Sequence, residues 1–173
     1  NGFYVNHEHG FKPSLYIDAL RRNIQGKELS SYYPDTLISM AHLLDLRELN
    51  KQIEKKLIQG ENIITERFWL CSKVFSESLG VDQFFVDYCV NFAPTPDIII
   101  LLDLNPQTAW LRVQKRQKGM ENNDSIEIMT RARELYLKES KNLKAIVINA
   151  DRAIEVISQE IYQRVTKRME ALI

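Results

Sequence analysis

The chain has 173 residues, enough for one domain around one hydrophobic core. Its 23 basic and 23 acidic residues cancel, which removes the general electrostatic reason to expect nucleic acid or an anionic membrane as a partner. No apolar run is long enough to span a bilayer, and Cys71 and Cys89 have neither the CxxC spacing of a zinc site nor the number for a disulfide framework. Reduced thiols, a cytoplasmic setting and no resident metal site are the expectation.

The chain opens Asn1-Gly2-Phe3-Tyr4-Val5, with no signal peptide and no initiating Met, so the natural start is expected upstream. Residues 2–6 read as a short strand, followed by a turn at His7-Glu8-His9-Gly10. Pro13 suits the first turn of a helix carrying Leu15, Ile17 and Leu20. Residues 25–33 are polar and read as a loop. Apolar residues then recur at three- and four-residue steps from Leu37 to Leu57, which predicts a long helix from Pro34 to about residue 58, with Gly60 as its C′ residue.

Residues 62–65 (NIIT) form a short apolar strand, and Glu66-Arg67-Phe68 stands just past its carboxyl end. Helices are predicted over 69–79 and 81–91. Pro94 and Pro96 break the chain before Ile98–Leu102, the strongest strand signal, which Asp103 closes. A helix begins at Asn105-Pro106 and carries Ala109, Arg112 and Arg116. Residues 117–124 (QKGMENND) read as a mobile loop, 125–142 as a helix, 145–148 as the last strand and the remainder as an amphipathic helix. Strands alternating with helices imply an α/β fold with a parallel sheet flanked by helices.

Ligands of open parallel sheets collect at the carboxyl ends of the strands. The turn at residues 7–10, Glu66-Arg67 and Asp103 all fall there, with Arg112 and Arg116 on the next helix. Arginine presents a planar fork of donors to phosphate oxygens. Phosphoryl transfer depends on positioning and charge neutralisation, so these residues point to that reaction.

Several segments resemble the thymidylate kinase family. Residues 57–76 (LIQGENIITERFWLCSKVFS) are similar, without gaps, to its segment ending in DRY, x, x-SS, x-AYQ. There Glu66-Arg67-Phe68 stands for DRY, Ser72 for the second serine and Phe75 for the tyrosine. Residues 96–103 (PDIIILLD) resemble its PDLTLYLD strand. Pro106, Ala109, Arg112 and Arg116 match P-x-x-A-x-x-R-x-x-x-R, and residues 148–156 (INADRAIEV) resemble I-D-A-x-x-x-x-E-x-V. The resemblance covers nearly the whole chain in the right order.

That resemblance implies a single three-layer P-loop kinase domain over 1–173, with 117–124 as a lid loop. The implied reaction moves the ATP gamma-phosphate to a pyrimidine deoxynucleoside monophosphate, dTMP foremost, with Mg2+ held mainly through the nucleotide phosphates. Arg67 would hold the acceptor phosphate and Glu66 would orient Arg67 or a metal-bound water. Arg116 with Lys118 would close over the ATP phosphates. His9 and Lys12 would contact phosphate, Ser72 would hydrogen-bond the base, and Phe75 would lie against the sugar. Arg112 would support the adenine, with Ala150 and Asp151 lining its site. The family dimerises through the 34–58 helix, so a homodimer is implied. A deoxynucleoside kinase and a non-catalytic relative of the same fold are the alternatives.

Two departures stand out. The family's phosphate-binding GxxxxGK[ST] loop does not occur in these residues. A strand–loop–helix of about thirty residues, including the central strand of the sheet, is therefore expected upstream, and the 173 residues alone are expected to be inactive. The family's base-stacking aromatic falls at His42 and its base-contacting arginine at Leu46. Arg47 is next door, and it can take that place only if the helix register shifts locally.

Overall fold

The computed structural model describes the backbone of residues 3–7, and residues 15–24, 27–115 and 125–171. The chain folds as two compact units, Asn1–Thr95 and Pro96–Ile173.

In the first unit, strand β1 (Phe3–His7) runs parallel to strand β2 (Asn62–Glu66), with Phe3 beside Asn62 and His7 beside Glu66. The predicted first strand is thus displaced by one residue. Parallel strands need a long crossover. Here it consists of helix α1 (Leu15–Arg22), a 3-10 turn (Leu29–Ser31) inside the predicted loop, and helix α2 (Asp35–Ile58). Pro34 precedes α2 in an extended conformation, and its carbonyl accepts the N–H groups of Leu37 and Ile38. The far end stops as its glycine implies. Gly60 has φ of +79°, its N–H reaches the Leu57 carbonyl at 2.9 Å, and the Glu61 N–H reaches that of Lys56 at 3.1 Å.

Helix α3 (Trp69–Ser78) ends in the same way at Gly80, and helix α4 (Gln83–Val90) opens with the Asp82 carboxylate accepting the Phe85 N–H at 3.1 Å. The core is organised on α2. Leu43 packs with Val81, Val86 and Cys89, while Leu46, Leu49 and Ile53 pack with Phe68. Helix α1 is held by charge as well as packing. The two Asp45 carboxylate oxygens accept the N–H groups of Tyr16 and Ile17, at 3.0 and 3.1 Å. These are first-turn amides with no partner inside their own helix, and the negative charge sits at the positive end of the helix dipole.

In the second unit, strand β3 (Ile100–Asp103) runs parallel to strand β4 (Ile146–Asn149), with Asp103 beside Asn149. The predicted strand began at Ile98, but the ladder starts at the Ile99 carbonyl, which accepts the Ile146 N–H at 2.8 Å. A four-residue partner strand supports no longer ladder. Helices α5 (Pro106–Lys115), α6 (Ile126–Asn142) and α7 (Ile154–Glu170) complete the unit. The Asn105 side chain accepts the Gln107 N–H at 2.9 Å, and Ser125 caps α6 at the Ile128 N–H. The fold is α/β with parallel pairing, as expected. The pairing takes the form of two two-stranded ladders, and among the described residues no strand belongs to both. The predicted lid loop, 117–124, lies outside the described residues.

The Asp45 cap sets an expected outcome. Asp45→Ala should lower stability by about 1 kcal/mol. A urea titration should show a lower midpoint at unchanged slope, whereas an unchanged midpoint would show that α1 does not depend on the cap.

Candidate functional site

Strand β2 ends at Glu66 and helix α3 begins at Trp69, so the strand-to-helix link is two residues, Arg67 and Phe68. Arg67 has φ of +59°, in the left-handed region. Phe68 is extended, at φ 165° and ψ −158°. A residue with a Cβ disfavours the left-handed region by roughly 1–2 kcal/mol. Burial of a phenylalanine ring contributes up to about 3 kcal/mol, and Phe68 is only 8% exposed. The burial therefore outweighs the strain. The consequence is an inward ring beside an exposed guanidinium, which has no hydrogen-bond acceptor or ion pair among the described residues. Glu66 is also exposed, and it is partnered.

Helix α3 continues from this link. Ser72 lies in the interior, one turn after Phe68, and its N–H donates to the Phe68 carbonyl at 3.2 Å. Phe75 is 36% exposed, so it can meet a ligand at its open face. Next to it, the buried Ser76 and Ser39 hydroxyls share a hydrogen bond of 2.7 Å, which pins α3 to α2. His42 stands one turn beyond Ser39 and is exposed.

Leu46 is 3% exposed within the core, so it has no contact to offer a base. The local register shift that would bring Arg47 into its place is not seen, because α2 is uninterrupted from Asp35 to Ile58. Arg47 instead turns toward α4. Its guanidinium lies 4.5 Å from the Phe92 ring centre and 5.5 Å from that of Tyr88, and the two rings meet edge to face at 5.5 Å. Five positions separate His42 from Arg47, which places them about 140° apart on the helix. Beneath this cluster, burial pushes the Cys89 thiol up while the Arg47 charge pulls it partly back, so Cys89 stays an unreactive thiol. Both cysteines are free.

The second unit brings together three residues picked out as a nucleotide site. Arg112 donates to the Asp151 carboxylate at 3.1 Å and to the Ala150 carbonyl at 3.4 Å. Its half-exposed guanidinium is thereby held as a flat cationic shelf past the end of β4. Asp103 has a different partner. Arg133 grips it with two parallel bonds, Nε to Oδ1 at 2.7 Å and Nη2 to Oδ2 at 2.9 Å. These bonds hold the Asp103 carboxyl below the ordinary aspartate range. His9, Lys12, Arg116 and Lys118 lie outside the described residues. Among those described, no group of three or more His, Cys, Asp or Glu is placed to hold a metal ion, and no helix is long and apolar enough to cross a membrane.

Three contacts were not legible beforehand: the burial of Phe68, the Tyr88–Phe92 support of Arg47, and the Asp103–Arg133 pair. Phe84, Tyr88 and Phe92 recur at four-residue spacing, which could have flagged an aromatic stripe. Nothing in the sequence links Asp103 to a residue 30 positions away.

A parallel α/β chain with an exposed arginine at one strand end and an arginine shelf at another belongs to the class of α/β folds whose ligands gather past the carboxyl edge of a sheet. The family model described as Thymidylate kinase matches residues 14–161, and the chain belongs to that family. A probable thymidylate kinase of Sulfolobus acidocaldarius is 33% identical over 101 residues, covering 58% of this chain and 52% of that protein. One from Pyrobaculum aerophilum is 27% identical over 122 residues, covering 70% of this chain and 63% of its own length. One from Thermococcus gammatolerans is 31% identical over 115 residues, covering 65% and 55%. The chain thus spans about half to just under two thirds of the curated relatives it matches.

The Asp103–Arg133 pair has a pH signature. The folded-state value of Asp103 lies below its unfolded one, so the unfolded chain takes up the proton first as pH falls. The pair's contribution is complete above about pH 4 and fades below it. Arg133→Gln should flatten the loss of stability on acidification in that range, as measured by denaturant midpoints between neutral pH and pH 3. An unchanged acid slope would show that the pair carries no such linkage.

Proposed function

We propose that the protein of which these residues form a part is a transferase that moves the ATP gamma-phosphate to a pyrimidine deoxynucleoside monophosphate, dTMP foremost. Membership of the thymidylate kinase family supports this reading, and so do the relatives described as probable thymidylate kinases. The observation that carries it is Arg67, exposed at a strand end with its donors unspent among the described residues. In the reaction an oxygen of the acceptor phosphate bonds to the gamma-phosphorus, the bond to the bridging oxygen breaks, and ADP leaves with its electron pair.

In this reading, residues 1–173 form one domain, Arg67 holds the acceptor phosphate with Glu66 beside it, and His9 and Lys12 would contact phosphate. Ser72, Phe75 and His42 surround the nucleoside. Since Leu46 is buried and Arg47 is turned toward Tyr88 and Phe92, recognition of the base falls to His42. ATP supplies the phosphoryl group, with Mg2+ held mainly by its phosphates. The Arg112 shelf, with Ala150 and Asp151, would stack the adenine, and Arg116 and Lys118 would approach the phosphates from the lid. No GxxxxGK[ST] occurs within the 173 residues, so turnover needs a phosphate cradle that they do not themselves carry. We further propose a cytoplasmic homodimer paired through α2, without nucleic acid or membrane as partners.

A coupled assay of ADP release by the intact protein tests the reading. Turnover is expected with dTMP, more weakly with dUMP or dCMP, and not with thymidine. Turnover of the nucleoside in preference to the monophosphate would replace the proposal with a deoxynucleoside kinase.

Arg67→Gly separates stability from function. Glycine adopts the left-handed backbone freely, so the variant should gain up to about 1 kcal/mol in stability. It should lose monophosphate affinity by a factor on the order of 10–100 through loss of a charge-assisted contact. Unchanged affinity would remove Arg67 from the acceptor site.

A further inference from the structure

Arg67 and Phe68 form a two-residue lever between β2 and α3. The backbone of Arg67 sits in a region that a residue with a Cβ occupies only when its surroundings enforce it. The enforcing contact is the next side chain. Phe68 packs with Leu46, Leu49 and Ile53, and Ile63, Trp69 and Val90 close around the same cluster. Were Arg67 to relax to an ordinary helical or extended conformation, the chain would leave β2 in another direction and the Phe68 ring would have to leave the core.

The guanidinium has no acceptor among the described residues to orient it. Among the described residues its aim therefore comes from the backbone rather than from a carboxylate partner, in contrast to Arg112 and Arg133, which are tied by ion pairs. Such an arrangement keeps every donor of the guanidinium available, and it limits the directions the side chain can explore before a ligand arrives.

We propose that Phe68 is a positioning residue for the acceptor phosphate: its ring, sealed in the core on α2, holds Arg67 in the left-handed conformation and so aims the guanidinium past the end of β2. Phe68 touches no substrate in this account, and the inference rests on the reading of Arg67 given under Proposed function.

The test is the ratio of the dissociation constants of thymidine and dTMP, measured by titration calorimetry on the intact protein. That ratio isolates what the phosphate adds to binding. Phe68→Val should lower it by about tenfold, mainly by weakening dTMP while thymidine is held as before. Phe68→Tyr, which keeps the ring, should restore it. In an Arg67→Ala background, Phe68→Val should have no further effect on the ratio, because the route through Arg67 is gone. If Phe68→Val does not fold, Phe68→Leu reads the same ratio with a smaller decrease.

A ratio unchanged in the folded Phe68 variants overturns the inference and leaves the function standing. An equal decrease with and without Arg67 also overturns it, since Phe68 would then act by another route. If the parent binds dTMP no better than thymidine, the assignment of Arg67 itself fails, and the inference falls with it.

Discussion

The packing of Phe68 against Leu46, Leu49 and Ile53 is the contact on which the first unit depends. It ties the end of β2 to the middle of α2, it sets the direction in which α3 departs, and it forces the preceding residue into an uncommon conformation. Apolar burial is non-directional in itself. Here it acquires direction because residue 68 points inward two residues after a strand and one before a helix, with Arg67 in the left-handed region between them. The same contact occupies Leu46, which therefore serves the interior, and leaves Arg47 to turn toward the rings of Tyr88 in α4 and Phe92 just past its end.

Four of the described arginines fall into three physical situations. Arg133 is locked onto Asp103 through two bonds, and Arg112 is steadied by a carboxylate and a carbonyl. Arg47 is supported by aromatic faces, which leave its in-plane donors unspent among the described residues. Among the described residues, Arg67 is held only through its backbone. A paired guanidinium is already compensated, so its chief value is structural or as a flat surface. An uncompensated one keeps its electrostatic attraction for a ligand's charge. This difference, together with its place past the end of β2, sets Arg67 apart from Arg47, Arg112 and Arg133 as an anion-binding candidate.

Local features were largely legible in the amino-acid order. Gly60 stops α2, Asn105-Pro106 opens α5, and Ser125 opens α6, each because a backbone conformation or an unpaired amide there has few chemical solutions. The parallel pairing also followed from the alternation of short apolar strands with helices. The limits of β3 did not, because a ladder is only as long as its partner, and the partner lies more than 40 positions further on.

The sequence by itself determined the family, the order of the elements, and the presence of Glu66 and Arg67 past a strand end, since these depend on composition and spacing along the chain. Tertiary structure alone decided which charges are spent. That Asp103 belongs to Arg133, that Asp45 caps a helix 28 residues away, and that Phe68 is buried so that Arg67 is strained are facts about distant groups meeting. Pairing and burial depend on distances in space, and a one-dimensional pattern carries no distance between residues that are far apart in the chain.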